Sequence, residues 1–414
     1  MSAYSKLKNV SGLENIAKRS RIFSSHSNVV VVSAILLIVG LLSAFLGADL
    51  LLKDNRSIDC PPAVFVGVDV GYGNETDVYK TADAVEGYAN LIIIGSLDVT
   101  EDVAALTRVC DYLYDKGFYI MVYVGYAEEG HYPPRGPDPY FFNSTAKQWG
   151  EKFLGAYMFD EAGGQQIDKN HPIFLVADNY THASQIYQDG LSNALTRYTD
   201  YYGSPDLRLF TSDYALYWYD YLSGYDVVLA QYVGNQSRYI TNSLCRGAAH
   251  SLDKNWGVII TWKYNQDPFL EEADQLYEDM VLAYENQAKY IVVFNSPENN
   301  THPTSLGTLT SKHLEAMKQF WNYIKANPQS ESFIANTAYV VPDGYGYGFR
   351  SATDKIWGLW EADALSPQIW NDTNNLLQTY GNLLDIIYAS AANNQSVILP
   401  YDKLVFWNGT IIQK

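Results

Sequence analysis

The feature of this 414-residue chain that most constrains its fold is a regular alternation of short apolar runs with amphipathic segments. A polar or aromatic residue lies at or next to the end of each apolar run, and a segment with helical periodicity separates most runs from the next. The eight runs are residues 63–70, 91–96, 118–125, 154–160, 207–213, 226–232, 256–262 and 289–295. Runs of this length are typical of buried parallel strands, so the alternation predicts an α/β fold, a (β/α)8 or TIM barrel, over residues 63–330. A doubly wound open sheet is the alternative, but the chain has no dinucleotide-binding fingerprint.

Residues 336–414 follow a different pattern and predict a small second α/β domain. Its strand candidates are residues 338–341, 383–388 and 403–407, and its helix candidate is residues 366–380. Trp357 and Trp360 precede that helix, and we expect them either to reach the mouth of the barrel or to lie in the core. The pattern resembles a reduced flavodoxin-like domain of the amidotransferase-like kind. No cysteine follows Cys245, so the nucleophile of that family is absent.

The amino-terminal region predicts a single-pass membrane anchor. Residues 29–48 are 20 consecutive residues without a charge, which is long enough for a helix to cross a bilayer. Lysine and arginine dominate residues 1–28, so the positive-inside rule places that segment in the cytoplasm and the bulk of the chain outside the cell. We therefore assign the anchor to residues 29–52 and a linker to residues 53–62. A cleaved signal peptide is the alternative, but no clear A-x-A cleavage site is present.

Glycosylation triplets agree with an extracellular location. Nine N-x-S/T triplets follow the apolar segment, and each is a potential acceptor. The predicted N-linked glycans lie at Asn74, Asn143, Asn179, Asn235, Asn371 and Asn408. The three cysteines, Cys60, Cys110 and Cys245, allow at most one disulfide and no zinc ribbon.

Composition excludes several classes of function. The net charge of −18 repels phosphate backbones, so nucleic acid is not an expected partner. The histidines show no HxH or HExxH spacing, and no phosphate-binding loop is present, so neither a metal nor a cofactor is expected. The 35 tyrosines and 9 tryptophans suit contacts with sugar faces, although many of them are expected simply to fill the core.

Candidate site residues lie where the predicted strands end. The carboxyl ends of the strands of such a barrel meet at one face, so these residues are expected to lie close together. They are Asp69, Tyr126, Asp160, Glu161, Asp213, Gln231, Trp262, Lys263 and Asn295. Neighbouring residues of a regular strand point to opposite sides, so only one of Asp160 and Glu161 can face the mouth if the strand is regular. The alternative for this acidic pair is a helix cap and a salt bridge at the barrel rim.

An acidic residue at the end of the fourth strand of an aromatic-rich barrel resembles the clan of (β/α)8 glycoside hydrolases. In much of that clan a glutamate after strand four is the proton donor, and it corresponds to Glu161. The resemblance implies that Asp160 raises the pKa of Glu161 and that Asp213 or Asp69 supplies a second carboxylate. Tyr126, Gln231, Trp262, Lys263 and Asn295 would then bind the sugar, together with Asp69.

The chain departs from the clan after strand seven. The nucleophile of the retaining enzymes normally lies there, whereas this chain has Trp262 and Lys263, and the first carboxylate is Asp267. The sequence therefore predicts a membrane-anchored extracellular glycoside hydrolase-like protein that acts on surface or environmental glycans. The alternative is a catalytically inactive barrel that binds glycans or serves as a structural surface protein.

Overall fold

The computed structural model describes residues 62–126, 134–299, 306–329 and 335–414. The predicted cytoplasmic segment 1–28, the predicted anchor 29–52, all but the last residue of the linker, and Cys60 lie outside these ranges. Within them, no helix has the length and apolar character needed to cross a bilayer. The two cysteines within these ranges, Cys110 and Cys245, are buried and are not bonded to each other.

Eight parallel strands close into a barrel in chain order, so the predicted (β/α)8 barrel is confirmed. The strands are β1 (Phe65–Val70), β2 (Leu91–Ile94), β3 (Tyr119–Val124), β4 (Phe153–Met158), β5 (Leu209–Asp213), β6 (Val227–Tyr232), β7 (Asn255–Ile260) and β8 (Tyr290–Asn295). β8 pairs with β1 in parallel, which completes the ring. Most predicted ends agree within about two residues, the usual uncertainty of such boundaries.

Helices follow the strands around the outside of the barrel. They are α1 (Glu75–Val85), α2 (Leu97–Thr100), α3 (Val103–Asp115), α4 (Pro139–Asn143), α5 (Ala162–Asp168), α6 (Tyr180–Tyr202), α7 (Tyr217–Ser223), α8 (Arg238–Ser251), α9 (Ala273–Glu285) and α10 (Ser311–Ala326). Local sequence explains where several of them begin. The side chains of Asp102, Asn179 and Ser237 each accept a hydrogen bond from a backbone N–H in the first turn of α3, α6 and α8.

Large side chains fill the lower part of the barrel interior. The strand residues that point inward form their own cluster, separate from the larger core between the strands and the helices. In the inner cluster Phe65 stacks on Tyr290 at 4.8 Å between ring centres, and Phe210 meets Tyr290 edge-on at 5.4 Å. Because these rings close the barrel from below, open space remains only towards the carboxyl ends of the strands.

A separate four-stranded sheet follows the barrel. Its strands are β9 (Thr337–Val341), β10 (Leu384–Tyr388), β11 (Lys403–Phe406) and β12 (Ile411–Gln413), in the order β10-β9-β11-β12. The first three are parallel and β12 is antiparallel. The helices α11 (Leu365–Tyr380), α12 (Ala389–Ala392) and α13 (Gln395–Ile398) connect or flank the strands. The predicted strands and the long helix are present, and the sheet packs with the barrel into one compact unit.

A buried ion pair joins the barrel to this sheet. Arg246 of α8 is 3% exposed, and its Nε donates to Asp385 Oδ1 at 2.7 Å. The same guanidinium donates to the backbone carbonyls of Asn382 and Leu384 at 2.8 and 2.9 Å. Tyr401 donates to the other carboxylate oxygen of Asp385 at 2.7 Å. Both charges are therefore surrounded by hydrogen-bond partners, as buried charges must be.

We predict that Arg246→Met destabilises the protein by about 3–5 kcal/mol, because Asp385 would remain buried without its counter-charge. Urea unfolding of the full chain, followed by circular dichroism, measures the change. Arg108→Met is the matched control, since it removes an exposed ion pair between Arg108 and Glu75 and should change stability little. Equal effects of the two substitutions would contradict a stabilising role for the buried pair.

Candidate active site

A cavity of about 510 Å³ opens at the carboxyl ends of the barrel strands. The inward-facing ends of five strands line it through Tyr123, Tyr157, Ser212, Gln231 and Ile259. Three more aromatic residues, Tyr72, Trp262 and Phe294, line it as well, and Trp262 meets Phe294 at 5.1 Å between ring centres. The cavity has the volume and the mixed aromatic and polar lining of a small-molecule site.

Both acids after β4 line this cavity. The strand ends at Met158, and the next residues leave the extended conformation, with φ of 49° at Phe159 and 64° at Glu161. The alternation of a regular strand therefore no longer applies at Asp160 and Glu161. Left-handed backbone at residues other than glycine is uncommon and concentrates at functional sites.

Asp160 is a half-buried residue of the cavity wall. Tyr123 donates to its Oδ1 at 3.0 Å. Burial, and next the negative charge of Glu161, raise the pKa of Asp160 to about 6, although the bond from Tyr123 opposes the rise. The sequence predicts an influence of Asp160 on Glu161, and in the structure the charge of Glu161 acts on the pKa of Asp160.

A chain of hydrogen bonds holds Glu161. Gln231 Nε2 donates to Glu161 Oε1 at 2.9 Å and to Ser212 Oγ at 2.9 Å. Ser212 Oγ also lies 2.7 Å from the hydroxyl of Tyr157. The predicted site residue Gln231 therefore contacts the predicted acid directly.

Asp213 is completely buried and is not among the residues that line the cavity. Its Oδ2 accepts from the N–H of Gly163 at 2.5 Å, and its Oδ1 accepts from Gly164 at 2.8 Å, Tyr214 at 2.7 Å and Ala215 at 3.0 Å. Burial raises the pKa of Asp213 to about 7, and the N–H donors oppose that rise. The structure thus places this candidate acid behind the site, where it holds the turn between β4 and α5.

Asp69 lines the cavity from β1 and is 3% exposed. Its Oδ1 has no hydrogen-bond partner. Burial, followed by the charge of Asp160, raises the pKa of Asp69 well above its usual range. Gly95 on the neighbouring strand leaves the room for this carboxyl, because a Cβ there would clash with Asp69 Oδ1.

The remaining predicted site residues divide into two groups. Trp262 lines the cavity, whereas Tyr126, Lys263 and Asn295 are not among the lining residues. Tyr126 donates to the backbone carbonyl of Asp160 at 2.9 Å, so it supports the site without facing it. Asn295 is buried, and its side chain holds the loop after β8 through bonds to the backbone of Leu306 and Leu309.

Neither Trp357 nor Trp360 lines the cavity. Trp357 is fully buried, and its Nε1 donates to the Gly344 carbonyl at 2.8 Å. Trp360 is half-buried and packs edge-on against Tyr180 at 5.0 Å between ring centres. The expectation that both belong to the core is the one that agrees with the structure.

Several lining residues are not among the predicted site residues. Tyr123, Tyr157, Ser212 and Thr261 precede the last residue of their runs, whereas the prediction rests on the residues at the strand ends. The period-two alternation of the strands held the missing signal, because Ser212 and Gln231 point inward from β5 and β6 just as Phe210 and Leu229 do two residues earlier. Among the described residues, no group of three or more His, Cys, Asp and Glu side chains is arranged to hold a metal ion.

Solved structures with a similar fold include glycoside hydrolases. The β-galactosidase from the Antarctic haloarchaeon Halorubrum lacusprofundi superposes with a TM-score of 0.52 at 12% identity, over 83% of this chain and 69% of its own. The β-galactosidase from the psychrophilic Marinomonas ef1 gives 0.52 at 10% identity, over 83% and 72%. A GH5_18 variant from Streptomyces cattleya, in complex with Manb1-4GlcNAc, gives 0.50 at 12% identity, over 84% and 99%.

Identities this low show the fold alone, which is a (β/α)8 barrel. No protein-family model matches the sequence, and no curated protein matches it. Function must therefore be argued from the residues of the cavity.

We predict that the carboxyl of Asp160 titrates with a pKa of about 6 and that Glu161→Gln lowers this pKa. Removing the neighbouring negative charge makes ionisation of Asp160 easier, so its titration curve should move to lower pH. Carbon-detected NMR of side-chain carboxyls measures the shift. Asp206→Asn removes an exposed charge from the loop before β5, at the other end of the barrel, and should leave the curve unchanged. An unaltered curve in Glu161→Gln would contradict the interaction.

Proposed function

We propose that this protein is a glycoside hydrolase that cleaves glycosidic bonds with the carboxyl groups after β4. The observation that carries the proposal is that Asp160 and Glu161 both line a sugar-sized cavity while their environments differ. Hydrolysis of a glycosidic bond requires one carboxyl that holds a proton and another that is ionised. Two neighbouring acids with unlike surroundings can divide these roles.

Asp160 is the better proton donor of the two. Its pKa of about 6 lies close to the working range of a general acid, whereas an ordinary aspartate would have lost its proton well below that pH. Tyr123 fixes the carboxyl by its bond to Oδ1, so the proton can be delivered from one position. This assignment exchanges the roles that the resemblance gives to Asp160 and Glu161.

Glu161 supplies the negative charge. Its contact with Gln231 orients the carboxylate within the cavity. There it would stabilise the positive charge that develops on the sugar ring or activate a water molecule. Asp69, on the first strand, is a third carboxyl that the bound sugar would meet.

Aromatic residues at the mouth would hold the sugar. Tyr72 is half exposed, and Trp262 lines the cavity beside Phe294. Their faces suit the apolar faces of a pyranose, and the polar groups of the floor suit its hydroxyls. The GH5_18 variant with a similar fold is in complex with Manb1-4GlcNAc, which supports a carbohydrate as the ligand of this chain.

The function can be tested with aryl glycosides that differ in leaving group. We predict that Asp160→Asn lowers turnover of phenyl glycosides by about 10²–10⁴-fold, as expected for a lost general acid. Dinitrophenyl glycosides, which leave without protonation, should restore much of the activity of this variant. Glu161→Gln should slow both substrates alike, because its charge is needed whatever the leaving group.

Asp206→Asn serves as the control for these assays, since its side chain is exposed and far from the cavity lining. If dinitrophenyl glycosides restored the activity of Glu161→Gln and not that of Asp160→Asn, the general acid would be Glu161. A wild-type protein that hydrolyses no glycoside of the panel would contradict the hydrolase proposal itself.

A catalytically inactive, glycan-binding barrel is the second candidate, and one observation favours it. The end of β7 presents Thr261 and Trp262 to the cavity in place of a carboxylate. In that case the wild type would bind oligosaccharides without cleaving them. Saturable binding together with zero turnover therefore separates this function from the first.

We also propose that residues 29–52 anchor the protein in the cell membrane with the barrel outside. The uncharged stretch and the basic residues before it support this orientation. The exposure of glycosylation triplets in the folded part agrees with it, because Asn74, Asn179, Asn235, Asn371 and Asn408 are exposed and Asn143 is half-buried.

Membrane anchoring predicts that the full chain stays in the membrane pellet after alkaline carbonate extraction. A variant that lacks residues 1–61 should appear in the soluble fraction, because the uncharged stretch would be gone. Protease added to intact cells should digest the barrel of the full chain. Protection of the barrel from that protease would refute the proposed orientation.

A further inference from the structure

The walls of the cavity carry a strong excess of acidic over basic side chains. Five of the residues that line it are acidic, namely Asp69, Asp98, Asp160, Glu161 and Glu298. Arg135 is the one basic lining residue within the described part of the chain, and it is engaged with Glu101 through Nε–Oε1 at 2.6 Å and Nη2–Oε2 at 3.2 Å. Catalysis of glycoside hydrolysis needs two carboxyls, so this excess exceeds what the reaction requires.

Two buried oxygens of the lining lack partners. Among the described residues, Asp69 Oδ1 and Thr261 Oγ1 find no hydrogen-bond partner, although their residues are only 3% and 7% exposed. Buried polar atoms in folded proteins are almost always paired, so unpaired ones that face a cavity point to a ligand that completes them. A cation beside Asp69 favours the ionised form of its carboxyl, and the ionised form only accepts, so the matching ligand group is a positively charged donor.

The acidic lining of the cavity favours one class of hydrogen-bond donor in the ligand over the others. A sugar acid would bring a further negative charge close to several carboxylates, which is unfavourable in a partly desolvated site. A hydroxyl could complete Asp69 but would leave the excess charge uncompensated. An ammonium group both donates the hydrogen bond and offsets the charge, and such charge-assisted bonds are about twice as strong as neutral ones.

We propose that the cavity selects a sugar with a free amino group, an unacetylated amino sugar, and that Asp69 accepts its ammonium. The proposal rests on the proposed function in so far as both require the cavity to bind a sugar. The carboxylates of Asp98 and Glu298, which are exposed at the rim, would attract further ammonium groups along a polymer chain. Acidic polysaccharides would be excluded by the same charges.

Isothermal titration calorimetry with four sets of oligosaccharides of equal length tests this selectivity. The sets are glucosamine, N-acetylglucosamine, glucose and galacturonic acid oligomers, at a pH at which the sugar amine carries its proton. We expect the glucosamine oligomers to bind at least about tenfold more tightly than the acetylated and neutral ones, the ratio that one charged hydrogen bond provides. Their affinity should also fall with added salt, whereas that of neutral oligomers should not.

Asp69→Asn is the informative variant, because it keeps the shape of the side chain and removes its charge. It should weaken binding of glucosamine oligomers by about tenfold or more beyond any loss that it causes for neutral oligomers. Asp206→Asn, matched in chemistry but remote from the cavity, should change neither. Equal melting temperatures of the two variants and the wild type would show that the fold is intact.

The outcomes separate this inference from the proposed function. Equal or tighter binding of acetylated, neutral or acidic oligomers would overturn the selectivity for amino sugars while leaving a sugar-binding hydrolase in place. Equal losses for charged and neutral oligomers in Asp69→Asn would overturn the ammonium contact. Absence of binding and of cleavage for all four sets would overturn both proposals together.

Discussion

The geometry of the candidate active site depends on the carboxylate of Asp213. Its two oxygens accept four backbone N–H groups, two from the start of α5 and two from the turn after β5. The carboxylate therefore ties the segment that carries Asp160 and Glu161 to the neighbouring strand. Because the N–H groups point into a buried region, removing their acceptor would leave all four unsatisfied.

Other side chains complete this support. The carbonyl of Phe159 accepts from Thr211 Oγ1 at 3.0 Å, the carbonyl of Met158 accepts from the Tyr225 hydroxyl at 3.0 Å, and the N–H of Glu161 donates to the Ser212 carbonyl at 2.7 Å. These bonds compensate the left-handed conformations at Phe159 and Glu161, each of which is unfavourable by about 1–3 kcal/mol in general. A residue expected to act in catalysis thus has a positioning role, and the two acids that it positions both face the cavity.

Inside the barrel, a layer of packed aromatic rings lies directly below the polar residues of the cavity. Below the cavity the interior is closed by aromatic rings such as Phe65 and Tyr290. Directly above them the inward positions become polar, at Asp69, Ser212 and Gln231. Burial beside the apolar layer is the largest cause of the raised pKa of Asp69 and of Asp160. The same layer that stabilises the fold therefore raises the pKa of both acids.

Much of the architecture was predictable from the sequence. The eight apolar runs are short and regularly spaced, and strand pairing in chain order follows from that spacing, so the barrel and the convergence of Asp69, Asp160, Glu161, Gln231 and Trp262 at one face could be expected. The strands β9, β10 and β11 and the long helix of the carboxyl-terminal region could be predicted for the same reason. Hydrophobic periodicity and apolar content are properties of short segments, so they can be read from the sequence alone.

The direction in which each side chain points was decided only by the tertiary structure. Asp213 and Asp69 both lie at or next to the end of a predicted strand. The carboxylate of Asp213 binds backbone N–H groups, whereas that of Asp69 lines the cavity. Asp160 and Glu161 share the cavity because bonds from other strands hold an irregular backbone that no local pattern indicates. Orientation and pKa depend on contacts between segments distant in the chain, and such contacts exist only once the barrel has closed.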